Sequence, residues 1–173
     1  MAFMDLGENR NGAYRDGQIP GPDIFSAGAT NGPFPDNLVN TLDPQSLEGQ
    51  FSGIRDLSQV NQVLNSAGFN EATEYVELAN ARRLNPNEFT FHPQLGYISL
   101  NTALNQDEVL AVSFQYTAGG RTFQVGEFGT DGVTPPNKLV VKMLKSFFLD
   151  VRLPSWDLMM KNVYSLSAFQ VGA

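Results

Sequence analysis

The stretch Val109-Leu110-Ala111-Val112-Ser113-Phe114-Gln115-Tyr116-Thr117-Ala118-Gly119-Gly120-Arg121-Thr122-Phe123-Gln124-Val125-Gly126-Glu127-Phe128 decides the fold. β-Branched and aromatic side chains, which suit a pleated surface, recur on both sides of Gly119-Gly120. Two adjacent glycines supply the positive φ angles of a tight reversal, so the stretch predicts a β-hairpin over Val109 to Phe128.

Working outward, Phe89 to Leu100 predicts a second hairpin that reverses at His92-Pro93-Gln94-Leu95-Gly96. Strands are expected over Tyr75 to Arg83, Glu88 to Phe91, Tyr97 to Leu100, Val109 to Thr117, Arg121 to Phe128 and Leu139 to Leu149. The last run is ambiguous, because Val140, Met143, Leu144 and Phe147 also fit helical spacing. After Pro154, Ser155 to Lys161 fits a helical turn and Asn162 to Val171 another strand. The best helix is residues 56–68. There Asp56 and Gln59 make a capping-box pattern, Leu57, Val60, Leu64 and Ala67 recur at helical spacing, and Gly68 gives a left-handed stop.

Residues 1–50 contain seven of the 16 glycines and five of the 10 prolines, which disfavours long regular elements. The expected fold is therefore mainly β: an antiparallel β-sandwich-like domain, Ig-like or related, with one or two short helices. The expected division is an irregular acidic Gly/Pro-rich arm over 1–55, packing on a β-rich core domain over 56–173. The Phe content, 13 of 173 residues, fits a sandwich core.

The net charge of −7 is concentrated in the first 80 residues, where eleven carboxylates face three arginines. Such a field repels phosphates, so nucleic acid and anionic lipid are poor partners. The absence of cysteine excludes disulfides, thiolate metal sites and cysteine nucleophiles. The single histidine, His92, stands beside Pro93 in a reversal, where a turn histidine is the ordinary reading. It is an isolated candidate for a Ser-His-Asp base and too few imidazoles for most transition-metal sites.

Glycoside hydrolysis needs only two carboxylates, for which Glu71, Glu74, Glu77, Asp107, Glu108, Glu127 and Asp131 are candidates, but no pair is marked by sequence. The segment Asp5-Leu6-Gly7-Glu8-Asn9-Arg10-Asn11-Gly12, with Asp16-Gly17, interleaves oxygen ligands with glycine but lacks the helix-loop-helix calcium spacing. Gly119-Gly120-Arg121 and Gly126-Glu127-Phe128-Gly129 lack a phosphate-loop lysine and read as turns. Trp156, Tyr97 and Tyr116 form a sugar-stacking platform only if they share an exposed face, and core burial is the ordinary alternative. No catalytic, cofactor-binding or metal residues are assigned.

Three segments carry a resemblance: Tyr75 through Leu100 with Asp107-Glu108-Val109 to Tyr116, then Thr130-Asp131-Gly132-Val133-Thr134-Pro135-Pro136-Asn137-Lys138-Leu139 to Ser146, and Trp156-Asp157-Leu158-Met159-Met160-Lys161-Asn162-Val163-Tyr164-Ser165-Leu166. Together they resemble the SprA family, called Sov in some members. These are giant outer-membrane proteins of the Bacteroidetes tied to gliding motility and type IX secretion. The resemblance implies a β-barrel translocon for folded cargo and offers no catalytic residues to transfer. It also implies that this chain is an excised domain of a cell-envelope protein at the outer membrane or cell surface, itself soluble and not membrane-inserted. Its partners would be other parts of the parent protein, secretion-system components or cargo. A carbohydrate-binding β-sandwich of a bacterial surface protein is the alternative, and a glycosidase-like enzyme the third reading.

Overall fold

The computed structural model describes residues 1–4, 51–67, 69–118 and 120–148. Among them the strands are β1 (Ala2–Phe3), β2 (Tyr75–Val76), β3 (Phe89–His92), β4 (Tyr97–Leu100), β5 (Leu110–Val112), β6 (Phe114–Ala118), β7 (Arg121–Val125) and β8 (Val141–Lys145), with one helix, α1 (Val60–Ser66). The described chain is thus mainly β, with several antiparallel pairings, one short helix and no closed barrel.

The hairpin expected over Phe89 to Leu100 forms, and the one expected over Val109 to Phe128 forms only over Phe114 to Val125. β6 pairs antiparallel with β7, and β3 with β4 in the register Phe89↔Leu100, Thr90↔Ser99, Phe91↔Ile98, His92↔Tyr97. Gly120 at φ +75° and Gly96 at φ +69° supply the left-handed angles that these reversals need. The four-stranded sheet has the order β2-β1-β8-β5, in which β1 runs antiparallel to β2 and parallel to β8.

The long run Val109 to Thr117 changes partner midway. β5 pairs with β8, the chain breaks at Ser113, and β6 then pairs with β7. A break of this kind is how one strand turns a corner between two sheets. Gly126 packs against that corner at φ +74°, where an added Cβ would lie 2.5 Å from Ser113 Oγ and 3.3 Å from the Val112 carbonyl oxygen.

Pleating sends alternate residues to opposite faces. Met1, Phe3 and Tyr75 join Ile54, Val60, Leu64, Phe69, Val125 and Val140 on one face, while Ala2, Val76 and Met143 pack with Met4, Val109 and Ala111 on the other. The first cluster contains an aromatic group in which Phe3 meets Phe69 edge-on at 6.4 Å and lies tilted on Tyr75 at 6.1 Å. Asn61 and Asn65, one helical turn apart, place their Oδ1 atoms 3.2 and 3.3 Å from the Tyr75 hydroxyl, tying α1 to β2.

α1 is shorter than the expected 56–68. Asp56 does organise its approach: its carbonyl accepts from Gln59 and Val60, and its carboxylate from the Ser58 N–H at 2.8 Å. This is an Asx turn in front of the helix rather than a cap on it, and it leaves Leu57 48 % exposed instead of on the buried face. At the other end the Phe69 N–H bonds the Leu64 carbonyl five residues back, the wide bond that closes a helix C-terminus. Gly68, Gly119, residues 5–50 of the expected arm, Ser155 to Lys161 and Asn162 to Val171 lie outside the described residues.

Candidate interaction surface

In the β3–β4 hairpin, directly opposed residues share a side. Phe89, Phe91, Ile98 and Leu100 therefore form one wholly apolar face, and Thr90, His92, Tyr97 and Ser99 the other. None of these residues is buried: Phe91 is 58 % exposed, Tyr97 45 %, and Leu95 at the tip 74 %. From Phe89 to Leu100 there is no Asp, Glu, Lys or Arg. Phe89, Ile98 and Leu100 are partly covered, so the exposed apolar part of the hairpin is Phe91 with Leu95 at its tip.

The hairpin is held at both ends. At the tip, the Gly96 N–H donates to the His92 carbonyl at 2.8 Å, and the His92 ring stacks on Tyr97 at 4.2 Å and 23°. At the base, Arg82 grips Glu88 through two bonds of 2.9 and 2.8 Å, and the Asn85 N–H donates to the same carboxylate at 2.7 Å. The Arg82 fork, with the Asn85 N–H, holds the Glu88 carboxyl down at about 2, because each donor favours its ionised form.

The carboxylates weighed for catalysis are spread through the scaffold. Glu127 is buried and receives Arg55 Nη1 at 2.9 Å, Arg55 Nη2 at 2.6 Å and the Val140 N–H at 2.8 Å. Glu74, also buried, accepts from the Asn70 N–H and side-chain amide, and Glu77 from Lys138 Nζ. Glu108 accepts from the Asn105 N–H, and Asp131 from Gln124 and the Phe128 N–H. Glu71 and Asp107 are exposed. Each bonded carboxylate thus fixes a turn, a sheet edge or a buried cation.

The aromatic candidates are likewise separated in role. Tyr116 packs beside Phe114 against the first core cluster, whereas Tyr97 stays half-exposed on His92. Trp156 and the oxygen-rich Asp5 to Gly17 segment lie outside the described residues. Among the described residues no group of three or more His, Cys, Asp or Glu side chains is placed to hold a metal ion.

Sequence reasoning missed β1 and the Arg55–Glu127 pair. A two-residue strand has no readable period, and partners 72 residues apart leave no local signal. Among the described residues no helix is long and apolar enough to cross a membrane. The sequence matches no family model and no curated protein.

Proposed function

We propose that the chain is a non-catalytic structural and interaction domain of a SprA-like outer-membrane translocon, serving type IX secretion and gliding motility in the cell envelope. The β3–β4 hairpin is the surface through which it meets the parent barrel, a secretion partner or cargo. The observation that supports this most is the contrast between the exposed Phe91 and Leu95 of that uncharged hairpin and carboxylates committed to holding the fold. In this reading the four-stranded sheet and the β6–β7 hairpin are the two layers of a sandwich around the first core cluster.

The test is affinity capture from envelope extract of a gliding Bacteroidetes species, followed by identification of the captured proteins. Recovery of outer-membrane secretion components is expected, with loss when Phe91 and Leu95 are both changed to Ser. Binding on a glycan array, or cleavage of chromogenic glycosides abolished by a single Glu→Gln change, would overturn the reading in favour of a lectin or a glycosidase.

A further inference from the structure

Between Val76, where β2 ends, and Phe89, where β3 begins, the chain follows an irregular course, because β1 offers β2 an edge only two residues long. Ala79, Asn80, Ala81, Arg82 and Arg83 are all exposed. Among the described residues, positions 79–81, 83 and 84 form no hydrogen bond or ion pair. Exposed segments without backbone bonds are where proteases nick folded chains, since little local structure must be undone to fit a protease cleft.

The other basic side chains of the described residues are withheld. Arg55 is buried against Glu127, and Lys138 is held by Glu77. Lys142 and Lys145 are 1 % and 5 % exposed, and Arg121 stands in β7, paired with β6. Arg82 is exposed, but its guanidinium is forked onto Glu88 at 2.9 and 2.8 Å. Among the described residues Arg83 is the exposed cation without a partner.

We propose that the Arg83–Leu84 peptide bond is a processing site for an endopeptidase whose primary pocket carries a carboxylate. Such a pocket takes the basic side chain that precedes the cut. The bond between the Arg83 carbonyl carbon and the Leu84 nitrogen breaks. Water supplies a hydroxyl to the carbon and a proton to the nitrogen, which leaves a carboxylate on Arg83 and an amine on Leu84. The neighbouring Arg82–Arg83 bond has the same local chemistry, but Arg82 must first leave Glu88, and an exposed pair of this kind holds it back by about fivefold.

The cut leaves the two parts together. β1 and β2 precede it, β5 and β8 follow it, and all four share one sheet. The Arg55–Glu127 and Lys138–Glu77 pairs also cross it. What changes is the β3–β4 hairpin, whose foot on the β2 side is then held by the Arg82–Glu88 pair in place of the chain.

The test is a time course of the whole chain with a low proportion of trypsin, read by intact mass. The Arg83–Leu84 bond should be cut before the bonds after Arg55, Arg121, Lys138, Lys142 and Lys145, and about fivefold faster than Arg82–Arg83. The pieces on either side of the cut should co-elute in gel filtration and part in urea. Arg83→Gln should lose the early cut with Tm unchanged, and Glu88→Ala should close most of the gap between the two bonds. An Arg83–Leu84 bond that outlasts any of those five, or is cut no faster than Arg82–Arg83, overturns the proposal. Pieces that separate without denaturant contradict it as well.

Discussion

Glu127→Gln removes the negative end of the buried pair with Arg55 while keeping the shape of the side chain. In the native chain the Glu127 carboxylate receives three N–H donors, at 2.9, 2.6 and 2.8 Å, and both side chains are over nine-tenths enclosed. Two charges taken out of water are offset by each other only when the geometry is this close, so truncating one partner costs about 3–5 kcal/mol. For a chain of this size that corresponds to a Tm lowered by roughly 6–20 °C. Urea titration of the wild type, Glu127→Gln, Arg55→Met and the double variant measures the coupling between the two sites. The double variant should recover much of the loss, because it removes both charges. Recovery stays incomplete, since Arg55→Met also takes the donor from the Lys138 carbonyl, 3.0 Å from Arg55 Nη1, at a cost of about 1–3 kcal/mol. Arg82→Gln, at the exposed Arg82–Glu88 pair, serves as the control and should change stability little, since water and salt screen it. A Glu127→Gln chain within 1 kcal/mol of wild type, or single losses that simply add, would refute the reasoning.

Four further outcomes follow from single features. Gly96→Val should weaken the hairpin by about 1–2 kcal/mol, entirely through its φ of +69°, since no atom lies within 4 Å of an added Cβ; Gly96→Asn should cost less, both read by thermal melting. Ser113 Oγ is buried without a hydrogen-bond partner, so Ser113→Ala should raise stability by about 1 kcal/mol and ease part of the cost of Gly126→Ala, whose Cβ points at that oxygen. Phe3→Ala should cost about 3–5 kcal/mol, despite lying in a two-residue strand, because the ring is 1 % exposed. Glu88 has a folded-state pKa of about 2, below its ordinary 4.5, so its contribution is present above pH 4.5 and disappears as the pH falls through 2. Carboxyl NMR should show that low midpoint, and Arg82→Gln should raise it.

What was legible in the sequence is what local chemistry encodes. Gly96 and Gly120 mark reversals that the chain makes, and the alternation around them places β3, β4, β6 and β7 within a few residues. Leu139 to Leu149 carries both periods, and the β reading is realised over Val141–Lys145 because β1 and β5 offer it two edges. The Tyr75 to Arg83 run shrinks to Tyr75–Val76, since β1 offers an edge only that long. Ser113 carries no breaking signal of its own. Its corner depends on Gly126, which makes room for it just after the end of β7. The apolar face of β3–β4 is visible in the sequence as alternation, but nothing local says that Phe91 stays exposed while Phe89, Ile98 and Leu100 are partly covered. The structural role of Glu127 depends on Arg55, far away in sequence, so the carboxylate list could not be sorted in advance.

The most direct test of the interaction reading separates binding from folding at one face. Wild type and the Phe91→Ser/Leu95→Ser chain are compared for Tm and for affinity toward the envelope protein that the wild type captures. Binding reduced at least tenfold with Tm unchanged within about 3 °C is expected, because neither side chain belongs to the core. Unchanged affinity, or a collapse of Tm in step with it, would contradict the assignment of this hairpin as the contact surface.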